Sequence, residues 1–332
     1  MALPLAVEIP PIWQWIVLVA SAAVAGGVLI AIGAFKRRDE PVIENLFGAG
    51  KPGPLLLNAG IAIAAYFGAA MLIGVVLRAT DNLEIKDGEP VLSPNVLILF
   101  SVVVPCVTLV VLAFGLKHLV PGGARRIGLF RAGRGAAFLP ALGYAAAAMP
   151  FILLIGNAAE VIYEMLDWHH PTEHPLLTSM DASGAVFEKV CAVLAAVVLA
   201  PLSEEILFRG HIQSAIRLLL SRRAPELPPP LPVMEQPAIV PSEAAAVATP
   251  VLPYAPPADA RHTLASVAAV VVTSLIFASI HPLWSAPPIF VLALFLGFAY
   301  ERRGNLWTCI FIHALFNGIM TTLFLFMGHP AP

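Results

Sequence analysis

Two adjacent carboxylates and a guanidinium, Glu204, Glu205 and Arg209, stand in the run Pro201-Leu-Ser-Glu-Glu-Ile-Leu-Phe-Arg-Gly210. They follow an almost wholly Ala, Val and Leu stretch, Cys191 to Ala200. Ionisable groups in so apolar a setting are costly to keep and point to function. Glu205 and Arg209 are spaced i, i+4 with the acid first, the favoured order for an ion pair along a helix, and a buried charge needs such a partner. Glu204 lies about 100° around the same helix and has no local partner. Two further groups stand in apolar segments: Phe277 to His281, and His313 with Asn317. The last two are again i, i+4, so both project from one helical face, which suits two donors aimed at one oxygen.

Each feature has a blander reading. A single intramembrane histidine more often packs or bonds a neighbouring helix than reacts, and the Glu205–Arg209 pair alone could be a brace. The joint occurrence of Glu204, His281, His313 and Asn317 in segments able to converge favours a site. Glu204, His281 and His313 would also compose a two-His, one-carboxylate zinc set. The HExxH pattern is absent, however, and no acidic residue adjoins either histidine to accept its second N–H. A metal-free site is favoured, with zinc the alternative. His169-His-Pro-Thr-Glu-His174 resembles a ligand cluster but lies in a loop without helical spacing. Cys106, Cys191 and Cys309 lack any pairing pattern and are expected as core filler.

The elements that must carry these groups are membrane helices. Apolar residues make up 59% of the 332 and charged ones 12%, about half the usual share. The net charge of -2 offers no basic field for nucleic acid. Apolar segments fall near 12–34, 55–77, 95–116, 137–158, 186–219, 263–281, 287–301 and 305–327, most of them long enough to span a bilayer. The first is read as a retained anchor, since Met1 to Trp15 lacks a basic n-region and a cleavage site.

Basic clusters alternate with acidic loops. The clusters are Lys36-Arg-Arg38 with Lys51, Lys117 to Arg134, Arg217 with Arg222 and Arg223, and Arg302-Arg303. The acidic loops are Asp81 to Glu89 and Glu160 to Asp181. By the positive-inside rule the basic loops are cytoplasmic and both termini lie outside. The expected fold is an all-α, polytopic helical bundle of about eight transmembrane helices in a bacterial cytoplasmic membrane. Residues 1–184 form its N-terminal helices, and residues 185–327 its core, interrupted by a Pro-rich cytoplasmic loop, 224–261.

Spacing along the chain suggests how the groups meet. With the Pro-rich stretch treated as an insertion, Glu204 is 19 residues before Arg223 and His281 is 20 after Arg261. Both then stand roughly 30 Å above one turn. His313 is nine residues past Gly304, about 14 Å above its own turn. The levels agree if the fifth and sixth helices project into the cytoplasm, as Arg217 and Arg222 permit.

The ordered motifs Glu204-Glu205-Ile-Leu-Phe-Arg209, Phe277 to His281 and His313 to Asn317 resemble the CAAX prenyl endopeptidase and bacteriocin-processing family of intramembrane proteases. That family carries EExxxR, FxxxH and HxxxN in successive helices. The connection Tyr300-Glu-Arg-Arg-Gly-Asn-Leu-Trp307 is similar to the family's approach to its last motif. The resemblance covers about residues 185–327. It implies an endopeptidase acting on membrane-associated peptides or proteins, prenylated or bacteriocin-like, within the lipid bilayer. It further implies that Glu204 and His281 activate a water, that His313 and Asn317 form the oxyanion hole, and that Glu205 with Arg209 braces the first motif. The rival readings are a catalytically silent scaffold of the same fold and a proton-coupled transporter, which intramembrane Glu and His would also suit.

Overall fold

A computed structural model describes residues 12–31, 51–80, 84–86, 89–91, 93–130, 134–170, 175–182, 185–221 and 258–327. The basic residues Lys36 to Arg38, Arg131, Arg222 and Arg223, and the Pro-rich segment up to residue 257, lie outside them. Ala258 to Arg261, assigned to that loop from sequence, already belong to a helix.

The helices are α1 (Ile12–Ala31), α2 (Gly53–Ala79), α3 (Pro94–His118), the single turn α4 (Gly123–Arg126), α5 (Arg134–Met165) and α6 (Pro175–Ala182). After them come the 35-residue α7 (Val186–Leu220), then α8 (Ala258–Ser279), α9 (Ala286–Arg303) and α10 (Leu306–Met327). The all-α expectation holds, with one small antiparallel hairpin in the connection between α2 and α3. Its strands β1 (Glu84–Lys86) and β2 (Glu89–Val91) pair Ile85 with Pro90, inside the stretch read as an acidic loop. Among the described residues, α2, α3, Ala137–Met165 of α5, α7 and Leu306–Phe326 of α10 are long and apolar enough to cross a membrane, five where eight were expected. The other apolar segments are shorter, at Gln14–Gly27 and Leu264–Ser279.

Large apolar side chains point outward, among them Phe67 and Met71 on α2, Val110 and Phe114 on α3, and Leu275 on α8. Lipid tails solvate such groups as well as a protein core does, so burial in the bundle goes instead to small residues that let backbones approach. Ala59 and Ala62 of α2 and Ala141, Ala145 and Ala148 of α5 are buried in this way. The helix α5 packs against α1, α9 and α10, while α2 pairs with α3 and α8 with α9.

Inside this shell α7 is buried on every side from Glu205 to His211. A helix surrounded on all faces loses the one-sided periodicity that marks a surface helix. It is also irregular, since Ala195–Leu199 and Ile206–Gln213 are wound as π-helix. Such bulges are often found at functional sites.

The turn between α9 and α10 fixes the height of the last helix. Gly304 ends α9 in the left-handed region, φ 56°, and Gly128 opposite it has φ 78°. A Cβ on Gly128 would come within 2.3 Å of the Gly304 carbonyl, so the two backbones meet where only glycine fits. Leu306 donates its N–H to the Gly128 carbonyl at 3.3 Å. Trp307 Nε1 donates to Leu129 and Tyr300 Oη to Ile127, at 2.8 and 3.0 Å. The Tyr300 to Trp307 connection is therefore a clasp onto residues 127–129.

Arg217 corrects an expectation. Counted from sequence among the cytoplasmic charges and thought to carry α7 out of the bundle, it is buried and ion-paired with Glu301 near the end of α9. Gln213, one turn earlier, donates to the same carboxylate at 3.0 Å and to the Gly297 carbonyl at 3.1 Å. This stretch of α7 is held beside α9, inside the protein.

Candidate active site

Glu205 and Arg209 are both fully buried, with Nε 3.3 Å from Oε2. Removing one partner of such a pair costs about 3–5 kcal/mol, because the other is left charged and dry. Arg209 is further held by the Ala293 carbonyl, to which Nη2 donates at 3.1 Å, and by the face of Phe277, 4.7 Å from its guanidinium carbon.

The second oxygen of Glu205 meets His313. Oε1 lies 2.9 Å from His313 Nδ1. A carboxylate facing an arginine can only accept, so Nδ1 carries the proton, and in the neutral ring Nε2 is then the acceptor. That nitrogen points to Glu204, whose Oε2 is 3.9 Å away. Glu204 Oε2 is buried and has no hydrogen-bond partner among the described residues. His313 thus sits between the two adjacent carboxylates, bonded to one and open toward the other.

Phe277 is the hub of the remaining contacts. Its ring takes the edge of Phe208 at 4.9 Å and lies 5.9 Å from the His313 ring. His281 packs beside it, centroids 4.8 Å apart, just past the end of α8. The Nδ1–H of His281 donates to the Phe277 carbonyl at 2.7 Å, which leaves Nε2 open in a half-exposed position. His281 therefore joins the group through Phe277, and the phenylalanine of that motif has a definite task.

Asn317 is one turn beyond His313, but its amide is spent elsewhere. Nδ2 donates to the Ala196 carbonyl at 2.7 Å. The π-turn explains the need. Ala200 donates to Ala195 in the i→i−5 register. The next donor in that register, due at Ala196, would be residue 201, and Pro201 has no N–H. Asn317 supplies the bond that Pro201 cannot, one turn of α7 away from Glu204.

Two residues of the second π segment and its partner helix carried no readable signal. His211 is fully buried, its Nδ1–H donating to the Ile206 carbonyl at 2.7 Å and its Nε2 accepting from Asn58 Nδ2 at 2.9 Å. Asn58 also donates to the Leu112 carbonyl, so α2, α3 and α7 share one polar node.

The histidine cluster near residue 170 has a structural use. His170 stacks on Trp284, rings 5.5 Å apart and 2° from parallel, and contacts Glu160 at 3.2 Å, while His169 is exposed. Pro171 to His174 lie outside the described residues. Of the cysteines, Cys309 is buried, Cys191 partly so and Cys106 exposed, so core filling describes one of the three. Among the described residues no group of three or more His, Cys, Asp and Glu side chains is gathered to hold a metal. The Glu205 carboxylate at His313 Nδ1 is an acidic acceptor that was not legible beside either histidine in the sequence, because it stands on another helix.

Neither curated proteins nor solved structures yield a match to the chain. A family does match, over under half of the chain but across all three motifs, from α7 into α10. Residues 186–319 match the model of the family described as type II CAAX prenyl endopeptidase Rce1-like, the family that the three motifs resemble.

Proposed function

We propose that the protein hydrolyses peptide bonds of membrane-anchored substrates with a water held between Glu204 and His313. The observation that carries this is the unbonded, buried Glu204 Oε2 standing 3.9 Å from His313 Nε2, which is an acceptor in the neutral ring. Two facing acceptors call for a donor between them. A water about 2.8 Å from each would subtend roughly 90°, near its own H–O–H angle, and give one proton to each. Its lone pairs then face away from both, toward an incoming carbonyl.

In the reaction Glu204 takes one proton as the oxygen attacks, and the new C–O bond converts the carbonyl to a tetrahedral oxyanion. The same proton passes to the amide nitrogen as the C–N bond breaks. Glu205, held by Arg209, keeps His313 in the tautomer that leaves Nε2 free. His281, with Nε2 unspent beside Phe277, is the group available to donate to the carbonyl oxygen when protonated. Asn317 shapes the α7 turn that presents Glu204. The family description makes a prenylated C-terminal peptide the first substrate class to assay, with the basic loops and the site's opening on the cytoplasmic side.

The test is cleavage of a membrane-anchored peptide library, prenylated and unmodified, by the purified full chain beside Glu204→Gln. The unchanged protein should release a defined fragment and Glu204→Gln none, while both melt alike. Cleavage undiminished in Glu204→Gln would refute the water site.

A further inference from the structure

A cavity opens at the C-terminal end of α3. It measures about 870 Å³ and is walled by Leu109 and Lys117 of α3, Leu129, Leu202 and Ile206 of α7, and Trp307. At 1.5 Å per residue the 25 residues of α3 reach about 37 Å, longer than a hydrocarbon core of about 30 Å. Lys117 and His118, at its very end, therefore stand at headgroup level. From Lys117 back to Leu109 the wall descends about 12 Å into the apolar layer.

The chemistry changes along that depth. The deep end is Leu109, Leu202 and Ile206. The mouth carries Lys117 and His118, with exposed Phe130 beside them. No lining residue is a carboxylate. Gly123 and Ala124 of α4 also line the mouth, and the next residue, Arg125, is exposed. A cationic rim over an apolar shaft fits an amphiphile with a negative head.

We propose that this cavity is a site for one anionic phospholipid of the surrounding leaflet. Its phosphate lies by Lys117 and Arg125, and one acyl chain enters between α3 and α7. The occupant bridges α3 to the residues on either side of the Glu204-Glu205 pair, Leu202 and Ile206. A neutral lipid would fill the shaft equally but forgo the rim. Each basic group near a headgroup favours an anionic lipid severalfold, so two give about a tenfold preference or more.

The test uses the full chain in detergent, offered equimolar phosphatidylglycerol and phosphatidylcholine with identical acyl chains, with retained lipid read by native mass spectrometry. The unchanged protein should keep one phosphatidylglycerol about tenfold over phosphatidylcholine. Lys117→Ala with Arg125→Ala should bring the two to parity, and Ala113→Trp, placed in the lining wall, should remove both. Ala113→Leu, a smaller filler, should reduce retention if the tryptophan impairs folding. Equal retention of the two lipids by the unchanged protein would overturn the proposal, as would retention indifferent to Ala113. Displacement of the lipid by a farnesylated peptide, one for one, would overturn it in favour of a substrate-chain channel.

Discussion

Replacing Asn317 separates two roles that activity alone confounds. If Asn317 completes the π-turn that Pro201 leaves open, Asn317→Leu strands the Ala196 carbonyl at membrane depth. An unsatisfied polar group of that kind costs about 1–3 kcal/mol, and water is not at hand to relieve it. Were that cost expressed wholly as a displaced α7, activity would fall about 5–150-fold, at a factor of ten for each 1.4 kcal/mol. Loss of an oxyanion donor costs about 10²–10³ in kcat, and the two ranges overlap. Stability and rescue do not. The bracing role predicts a lowered melting temperature, and it predicts recovery when Pro201→Ala is added. The new N–H at 201, or relaxation of the turn to α-helix, satisfies the carbonyl without Asn317. The double variant should then show a coupling energy of about 1 kcal/mol or more between positions 317 and 201. The assay pairs thermal unfolding in detergent with cleavage of an anchored peptide for the four proteins of the cycle. An Asn317→Leu protein that melts normally, loses cleavage and gains nothing from Pro201→Ala would refute the bracing argument.

The other expectations concern the same core. Glu205→Ala should destabilise by about 3–5 kcal/mol by stranding Arg209, whereas Glu204→Gln should leave the melting temperature nearly unchanged and abolish cleavage; equal destabilisation by both would remove the distinction between brace and base. Gly115→Ala would place a Cβ 1.8 Å from Asn58 Oδ1 and break the node with His211. It should cost about 1–3 kcal/mol of stability and far less in an Asn58→Ala background; additive costs would show that the clash is not the cause. Purified, active protein should contain no stoichiometric zinc and survive exhaustive chelation. Activity lost with one zinc and regained on its return would instead establish a metalloprotease.

The readable part of the sequence was the part governed by short spacing. Glu205 and Arg209, four apart on one helix, meet as helical geometry requires, and the Tyr300 to Trp307 segment carries its glycine at the αL position that ends α9. What stayed hidden depends on partners far along the chain. His313 and Asn317 share a helical face, yet the face meets α7 at two levels: the histidine reaches Glu205 and the amide reaches Ala196. No i, i+4 rule distinguishes them, because the deciding fact is a missing N–H at Pro201 on another helix. Arg217 read as a loop charge for the same reason. Its carboxylate, Glu301, lies 84 residues away, and a positive-inside argument counts charges without knowing which are already neutralised. The bilayer adds a further cause. Lipid accepts apolar groups on every outer face, so hydropathy marks which segments span but not which side of each meets its neighbour. In α7, where two π-turns also shift the register, the inward face could be found only once the helices around it were in place.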